Sequence, residues 1–192
     1  MKESYAKYLL EKTKKDYNLI ASDFSITRKN EWKELEFLRD FIKEGEKVLD
    51  IGCGNGRLLK ILPKNINYFG IDFSENLIKI AKQKYPQFNF LVADALNLPF
   101  KDNFFDKVIS IAVLHHIPSK KFRLLFLKEA KRVLKNEGEL ILTVWNLRQQ
   151  SKYIPLILKN NLLKIFGLTK LDFFDIMIPW NKKINRYYHC FF

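Results

Sequence analysis

The stretch Val48-Leu49-Asp50-Ile51-Gly52-Cys53-Gly54-Asn55-Gly56 is a short apolar run that passes directly into a tight glycine turn. Gly52, Gly54 and Gly56 alternate, so the backbone can approach a ligand at three close points with no Cβ in the way. Asp50 sits near the carboxyl end of the expected strand, where open α/β sheets bind their ligands. A dinucleotide fingerprint requires glycines at i, i+2 and i+5. Counted from Gly52 the last position is Arg57, and counted from Gly54 it is Leu59. The turn therefore belongs to a different class of site.

Around this turn, 192 residues are enough for one domain with a real core and no metal or disulfide support. A hydrophobic content of 47% and an aromatic content of 15% exclude disorder. No apolar run approaches the ~20 residues of a membrane span, and the first 17 residues mix charge with apolar side chains, unlike a signal peptide. Cys53 and Cys190 are the only cysteines, which excludes a disulfide framework and fits a cytoplasmic location. His115 and His116 have only His189 to join them, so no metal site is expected. The net charge of +13 fits an acidic polymer partner. Only seven of the 34 basic residues are arginine, however, and such a lysine excess also arises from an AT-rich coding sequence.

Apolar spacing predicts helices over Tyr5–Ile20 and Glu31–Ile42, then an alternation. Strands are expected at Lys47–Ile51, Tyr68–Ile71, Phe88–Ala93, Lys107–Val113 and Glu139–Trp145. Helices are expected at Gly56–Leu62, from the cap Ser74 to Tyr85, and at Ser119–Lys135. Such alternation implies an α/β fold, with a mostly parallel sheet and helices on both faces. After Leu147 the pattern changes to one apolar helix, Leu156–Phe166, and an aromatic tail ending in Phe191 and Phe192. The reading is a single domain over 1–192, with a helical lead-in at 1–44, a core at 45–146 and a cap at 147–192.

The Asp-x-Gly-x-Gly-x-Gly spacing resembles motif I of the class I methyltransferases, a Rossmann-like family that binds S-adenosylmethionine (SAM). The resemblance implies that Asp50, Gly52, Gly54, Asn55 and Gly56 form the cofactor loop. Asp72, 20 residues after Gly52, is then expected to accept bonds from the ribose hydroxyls. Asp94 is expected to take the adenine amino hydrogens, with Leu96 against the ring, and Phe73, Ala95 and Ala112 complete the set. Each acid is expected at the carboxyl end of a strand. His115 reads as structural, while His116 is open to either a packing or a substrate-facing role.

A narrower resemblance is to the tRNA wobble-uridine carboxymethyl methyltransferases of the AlkB-homologue 8 type. It is carried by Tyr17-Asn18-Leu19-Ile20-Ala21-Ser22-Asp23-Phe24-Ser25-Ile26-Thr27-Arg28, by Val92–Pro99 and Ser110–His116, and by Ile178-Pro179-Trp180 with Arg186-Tyr187-Tyr188-His189. It implies methylation of the carboxylate of 5-carboxymethyluridine in tRNA. Arg28, His116, Arg186 and Tyr187 are the implied substrate-side residues, with Trp180 shaping the pocket. It also implies a small zinc-binding activator protein as partner. The family continues past this last motif with a helix and a hairpin, so the cap is expected to be truncated and Glu139–Trp145 to lie at a sheet edge. A methyltransferase for a small lipophilic acceptor, or a silent scaffold, are the other readings.

Overall fold

The five strands β1 (Lys47–Ile51), β2 (Asn67–Asp72), β3 (Asn89–Val92), β4 (Phe105–Ile111) and β5 (Leu134–Thr143) form one sheet in the order β3-β2-β1-β4-β5. The computed structural model describes residues 1–28, 32–180 and 184–191. The β1–β2, β2–β3 and β1–β4 pairs are parallel. From β1 the chain builds outward to β2 and β3, then returns to the other side of β1 as β4 and β5. This reversal makes the carboxyl ends of β1 and β4 the topological switch point, where sheets of this kind bind ligands. The sheet lies in a unit made of Tyr17–Ile111 and Leu125–Leu142, with Thr143 just outside it.

The central strands are apolar without alternation because both faces are covered. Val48, Leu49, Ile51, Ile71, Val108 and Ile109 are all buried. Phe69, Phe100, Phe104 and Phe105 pack edge to face at centroid distances of 4.9–6.0 Å. α3 (Glu75–Lys84) starts at the cap expected from the sequence: Leu77 N donates to Ser74 Oγ at 3.3 Å, and Leu77, Ile78 and Ala81 are buried.

Several expectations are corrected. The first helix, α1, runs Glu3–Thr27, longer at both ends than expected. The helix expected over Glu31–Ile42 is two short pieces, a 3₁₀ turn at Lys33–Leu35 and α2 (Leu38–Phe41), and Glu31 lies outside the described residues. Leu35, Leu38 and Ile42 are buried while Phe37 and Phe41 are exposed, as one face of a helix would be, and the break falls at the turn of Glu36 and Phe37. The helix expected at Gly56–Leu62 is a 3₁₀ turn, Arg57–Lys60. Gly56 is left-handed (φ 75°), and the turn after it closes with i to i+3 bonds, Leu59 N to Gly56 O at 3.1 Å and Ile61 N to Leu58 O at 3.0 Å. β5 begins at Leu134, five residues earlier than expected, and takes up the end of the helix expected to reach Lys135; α4 spans Lys120–Val133.

The second unit comprises Met1–Asp16, Ala112–Leu124 and Thr143–Phe192, of which Phe192 is outside the described residues. Here the aromatic tail is a hairpin that the sequence reading did not anticipate: β6 (Asp175–Trp180) pairs antiparallel with β7 (Ile184–His189). Pro179 demotes a strand reading, yet it sits near the end of β6 opposite Asn185. Asp175, fully buried, holds the hairpin: it accepts from the Tyr187 hydroxyl at 2.8 Å and from Asp172 N at 2.8 Å, and meets His189 Nδ1 at 2.8 Å. α5 (Ile154–Ile165) buries Ile157 and Asn160 and leaves Leu158, Leu162 and Ile165 exposed. Among the described residues no helix is long and apolar enough to cross a membrane.

In the sheet unit Arg132 fastens the loop that follows β3. Its guanidinium donates to the carbonyls of Leu98 (3.0 Å) and Phe100 (2.8 Å), to Asp102 Oδ1 (2.8 Å) and to both oxygens of Glu129. Glu129 in turn accepts from Leu98 N at 2.8 Å. Hydrogen bonds to charged groups contribute about 1.5–3 kcal/mol and do not add, so Arg132→Ala is expected to cost about 2 kcal/mol in urea unfolding. Arg132→Lys, which keeps the charge but not the planar fork, is expected to recover only part of it.

Candidate active site

The glycine turn leaves β1 with Gly52, Gly54 and Gly56 at φ 77°, 57° and 75°, all left-handed. A side chain at any of them would be strained, which is why the turn alternates glycine. Gly52 N and Cys53 N donate to Ile71 O at 2.7 and 2.9 Å, tying the turn to the end of β2. Asp72, the last residue of β2, receives Gly54 N on Oδ2 (3.0 Å) and Ser74 N on Oδ1 (2.8 Å). Each carboxylate oxygen still has a second lone pair, so the group can accept two further donors. Burial raises the Asp72 pKa to about 6, against the backbone N–H groups of Ser74, Gly54 and Phe73 that lower it.

Asp50 lies inside β1, not at its end, and accepts from the Tyr68 hydroxyl at 2.7 Å. Burial raises its pKa to about 7; the Tyr68 bond opposes this and the neighbouring Asp72 charge adds to it. Asp94 falls two residues beyond β3 and is exposed; its Oδ1 accepts from Leu96 N at 2.8 Å, a turn that holds Ala95 and Leu96 half-buried. Only Asp72 therefore stands at the end of its strand. Cys53 is buried, its Sγ 3.8 Å from Gly54 O, and burial with the charges of Asp50 and Asp72 pushes its thiol pKa well up.

The tail of α1 packs on this loop. Phe24 lies against Gly54, where an added Cβ would come within 3.7 Å of its ring, and Tyr17 contacts both Phe24 (5.7 Å) and Phe73 (6.3 Å). Asn18 Oδ1 accepts from Ser74 Oγ (2.8 Å) and Asn76 N (3.1 Å). The half-amide of Asn55 donates to Ser25 Oγ at 3.0 Å. Arg28, at the end of this segment, is half-buried, 5.1 Å from the Phe24 ring. Arg57, half-buried, stacks on Trp32 at 4.0 Å; burial and the Arg28 charge lower its pKa to about 10, with Asp50 opposing. Asn18, Ser25, Arg57 and Tyr68 were not singled out as site residues. Their roles come from the packing of α1 and β2; Asn18 and Ser25 lie within the Tyr17–Arg28 segment that carries the resemblance, but it assigns them no role.

The other expected residues gather in the second unit. Ala112 is left-handed (φ 60°), and its N–H is shared between Thr143 O (3.1 Å) and Thr143 Oγ1 (3.2 Å). His115 is buried and stacked on Tyr188 at 5.2 Å; its Nδ1 accepts from Trp145 N at 3.3 Å, as a structural histidine would. His116 Nδ1 lies 2.8 Å from the carbonyl oxygen of Tyr187. A carbonyl only accepts, so Nδ1 carries the proton and Nε2 the lone pair. Burial lowers the His116 pKa to about 3, the Tyr187 bond opposing and the Arg186 charge assisting, so the ring is neutral near pH 7.

Tyr187 is 1% exposed and its hydroxyl is held by Asp175, so its carbonyl rather than its phenol serves His116. Arg186 is not a solvated tail residue. It is 6% exposed, its guanidinium lies 5.8 Å from the Trp180 ring and 5.3 Å from the Tyr188 ring, and its Nε has no hydrogen-bond acceptor among the described residues. No three His, Cys, Asp or Glu side chains gather as a metal site among the described residues.

Comparison with known proteins agrees with this geometry. The family described as "Methyltransferase domain" matches residues 49–142. The tRNA (carboxymethyluridine(34)-5-O)-methyltransferase of Arabidopsis thaliana is 39% identical over 148 residues, covering 74% of this chain and 36% of that protein. The Saccharomyces cerevisiae enzyme of the same name is 39% identical over 140 residues, covering 71% and 49%. The chain thus spans between about a third and a half of these two relatives. Among solved structures, a SAM-dependent methyltransferase of Methanosarcina mazei is 25% identical with TM-score 0.67, covering 81% of this chain and 77% of that one. A methyltransferase solved in complex with the Trm112 methyltransferase activator of Haloferax volcanii shares the fold at 22% identity, TM-score 0.60, covering 87% and 84%. A left-handed glycine turn at the sheet's switch point, a strand-end carboxylate open to two more donors and these matches agree on one description: residues 49–142 are a methyltransferase domain, on the Rossmann-like fold of the SAM-dependent methyltransferases.

Proposed function

We propose that this protein methylates the carboxylate of 5-carboxymethyluridine at the wobble position of tRNA. The relatives at 39% identity support this reading over a lipophilic acceptor or a silent scaffold. The observation that carries it is Arg186: a buried cation between two aromatic rings, with an Nε that no described residue accepts from. Such a group suits a planar anion, and a guanidinium binds a carboxylate through two parallel bonds.

The residues fit SAM as cofactor. Asp72 has the lone pairs to hold both ribose hydroxyls, and the glycine turn leaves its backbone open to close approach. Asp94, Ala95 and Leu96 would hold the adenine, and Asp50 stands behind the turn. When bound, SAM supplies an electrophilic methyl group on a sulfonium. A carboxylate acceptor is already ionised near neutral pH, with a pKa of about 4, and needs no general base. His116 is consistent with that: neutral, with its tautomer set by Tyr187, it can accept a hydrogen bond at Nε2 and shape the pocket without moving a proton. Orientation is left to Arg186 and Arg28, with Trp180 as a wall.

The activator partner is a further part of the proposal. β3 is a sheet edge, and its Leu91 and Val92 are 43% and 47% exposed. An open edge with apolar side chains accepts an added strand. Beside it Ile78, Lys79, Lys82 and Val92 line a groove of about 390 Å³.

Five outcomes test these readings. Incubating carboxymethyluridine-bearing tRNA with enzyme and SAM, then analysing nucleosides by mass spectrometry, is expected to show the methyl ester. Arg186→Ala and Arg28→Ala should lower turnover far more than SAM affinity; no ester with SAM bound normally would overturn the acceptor. Asp72→Ala is expected to weaken S-adenosylhomocysteine binding by about 1.5–3 kcal/mol in calorimetry. In the wild type, a protonated Asp72 must lose its proton before it can accept from two hydroxyls. Affinity is therefore expected to rise with pH up to about 6–7 and then level off, falling below that by up to about tenfold per unit, and Asp72→Asn should flatten the profile. Co-expression with a zinc-binding activator from the same organism is expected to raise solubility and SAM affinity together. A stable monomer, fully active alone, would remove the partner.

A further inference from the structure

Asn55 stands between two left-handed glycines, Gly54 (φ 57°) and Gly56 (φ 75°). Glycine holds no conformation by itself, so the middle of the cofactor loop needs an external restraint. Its side chain supplies one. Asn55 is 1% exposed; its Oδ1 accepts from Arg57 N at 3.3 Å, which fixes the amide so that Nδ2 points to Ser25 Oγ, 3.0 Å away. Ser25 is itself 7% exposed, and its oxygen also accepts from Lys84 Nζ at 2.8 Å. Both lone pairs of one hydroxyl are thereby used, and the oxygen joins the tail of α1, the cofactor loop and the last turn of α3. No other side chain is recorded on Asn55 Nδ2 among the described residues, so removing the Ser25 oxygen leaves a buried donor unpaired beside two glycines.

We infer that Ser25 is a positioning residue for the cofactor loop, acting through Asn55 to hold the Gly54–Gly56 backbone in its binding geometry. The inference rests on the reading of this loop as the SAM site and adds to it a residue 30 positions upstream, joined to the loop through Asn55. Ser25 lowers the cost of ordering the loop when ligand binds, so its loss is read in cofactor affinity. The rate at saturating SAM stays the same.

The test uses the full chain and S-adenosylhomocysteine in titration calorimetry. Ser25→Ala is expected to weaken binding by about tenfold, equivalent to about one lost hydrogen bond to a buried donor. Ser25→Cys keeps the volume but replaces the acceptor with a poor one, and should weaken binding similarly; Ser25→Thr keeps the oxygen and should bind within about twofold of wild type. KM for SAM should rise in the Ala and Cys variants with kcat unchanged. Adding Ser25→Ala to Asn55→Ala should bring no further loss, since one residue acts through the other. A Cys variant that binds like wild type would assign Ser25 to packing alone and overturn the inference, as would additive losses in the double variant. If the wild type itself fails to bind S-adenosylhomocysteine, the cofactor reading falls, and this inference with it.

Discussion

The two hydrogen bonds that Asp72 accepts, from Gly54 N and Ser74 N, join the turn after β1 to the turn after β2. A carboxylate buried with no cationic partner nearby is unfavourable unless backbone donors compensate. Here they offset part of that cost, and the same bonds set the shape of the site. If the carboxylate turned away, the glycine turn would lose its anchor to β2 and α3 its capping geometry at Ser74. The tail of α1 depends on the same point, because Asn18 is bonded to Ser74 and Asn76. One side chain thus orders three neighbouring segments and remains open, on its second lone pairs, to a ligand.

Parallel strands buried on both faces declare themselves as uninterrupted apolar runs, so β1, β2 and β4 were legible to within a few residues. The cap at Ser74 and the stop at Pro86 marked α3 for local reasons. What the sequence hid was set by tertiary packing. The piece expected to be one helix after residue 30 divides at a turn over Glu36 and Phe37, although Leu35, Leu38 and Ile42 still face one way. The hairpin near the end of the chain was masked by Pro179 and by aromatic residues whose spacing suits either a strand or a loop.

The site was legible in the same uneven way. The glycines and Asp72 stand where spacing put them, because a turn at the end of a parallel strand is a local event. Asp94 was legible as a position but not as a turn that ties up one of its own oxygens. Arg186 was named by resemblance; its burial and stacking against Trp180 and Tyr188 required the hairpin register, with Ile178 opposite Arg186. Tyr68 carries no local signature, and Ser25 shows only as one position of the Tyr17–Arg28 motif, with no role attached. Each acts by meeting a buried polar group from another segment, and such meetings are decided only when the chain has folded.

Cys53 sits in the glycine turn, where its surroundings disfavour the thiolate. Thiolate is the species that iodoacetamide, maleimides and hydrogen peroxide attack, and burial beside two carboxylates holds this sulfur in the protonated form. Cys190, also buried, is held up to about 11. Burial and the raised pKa thus both work against attack on this sulfur, which packs as a small apolar group beneath Gly70, where a Cβ would come within 2.9 Å of it.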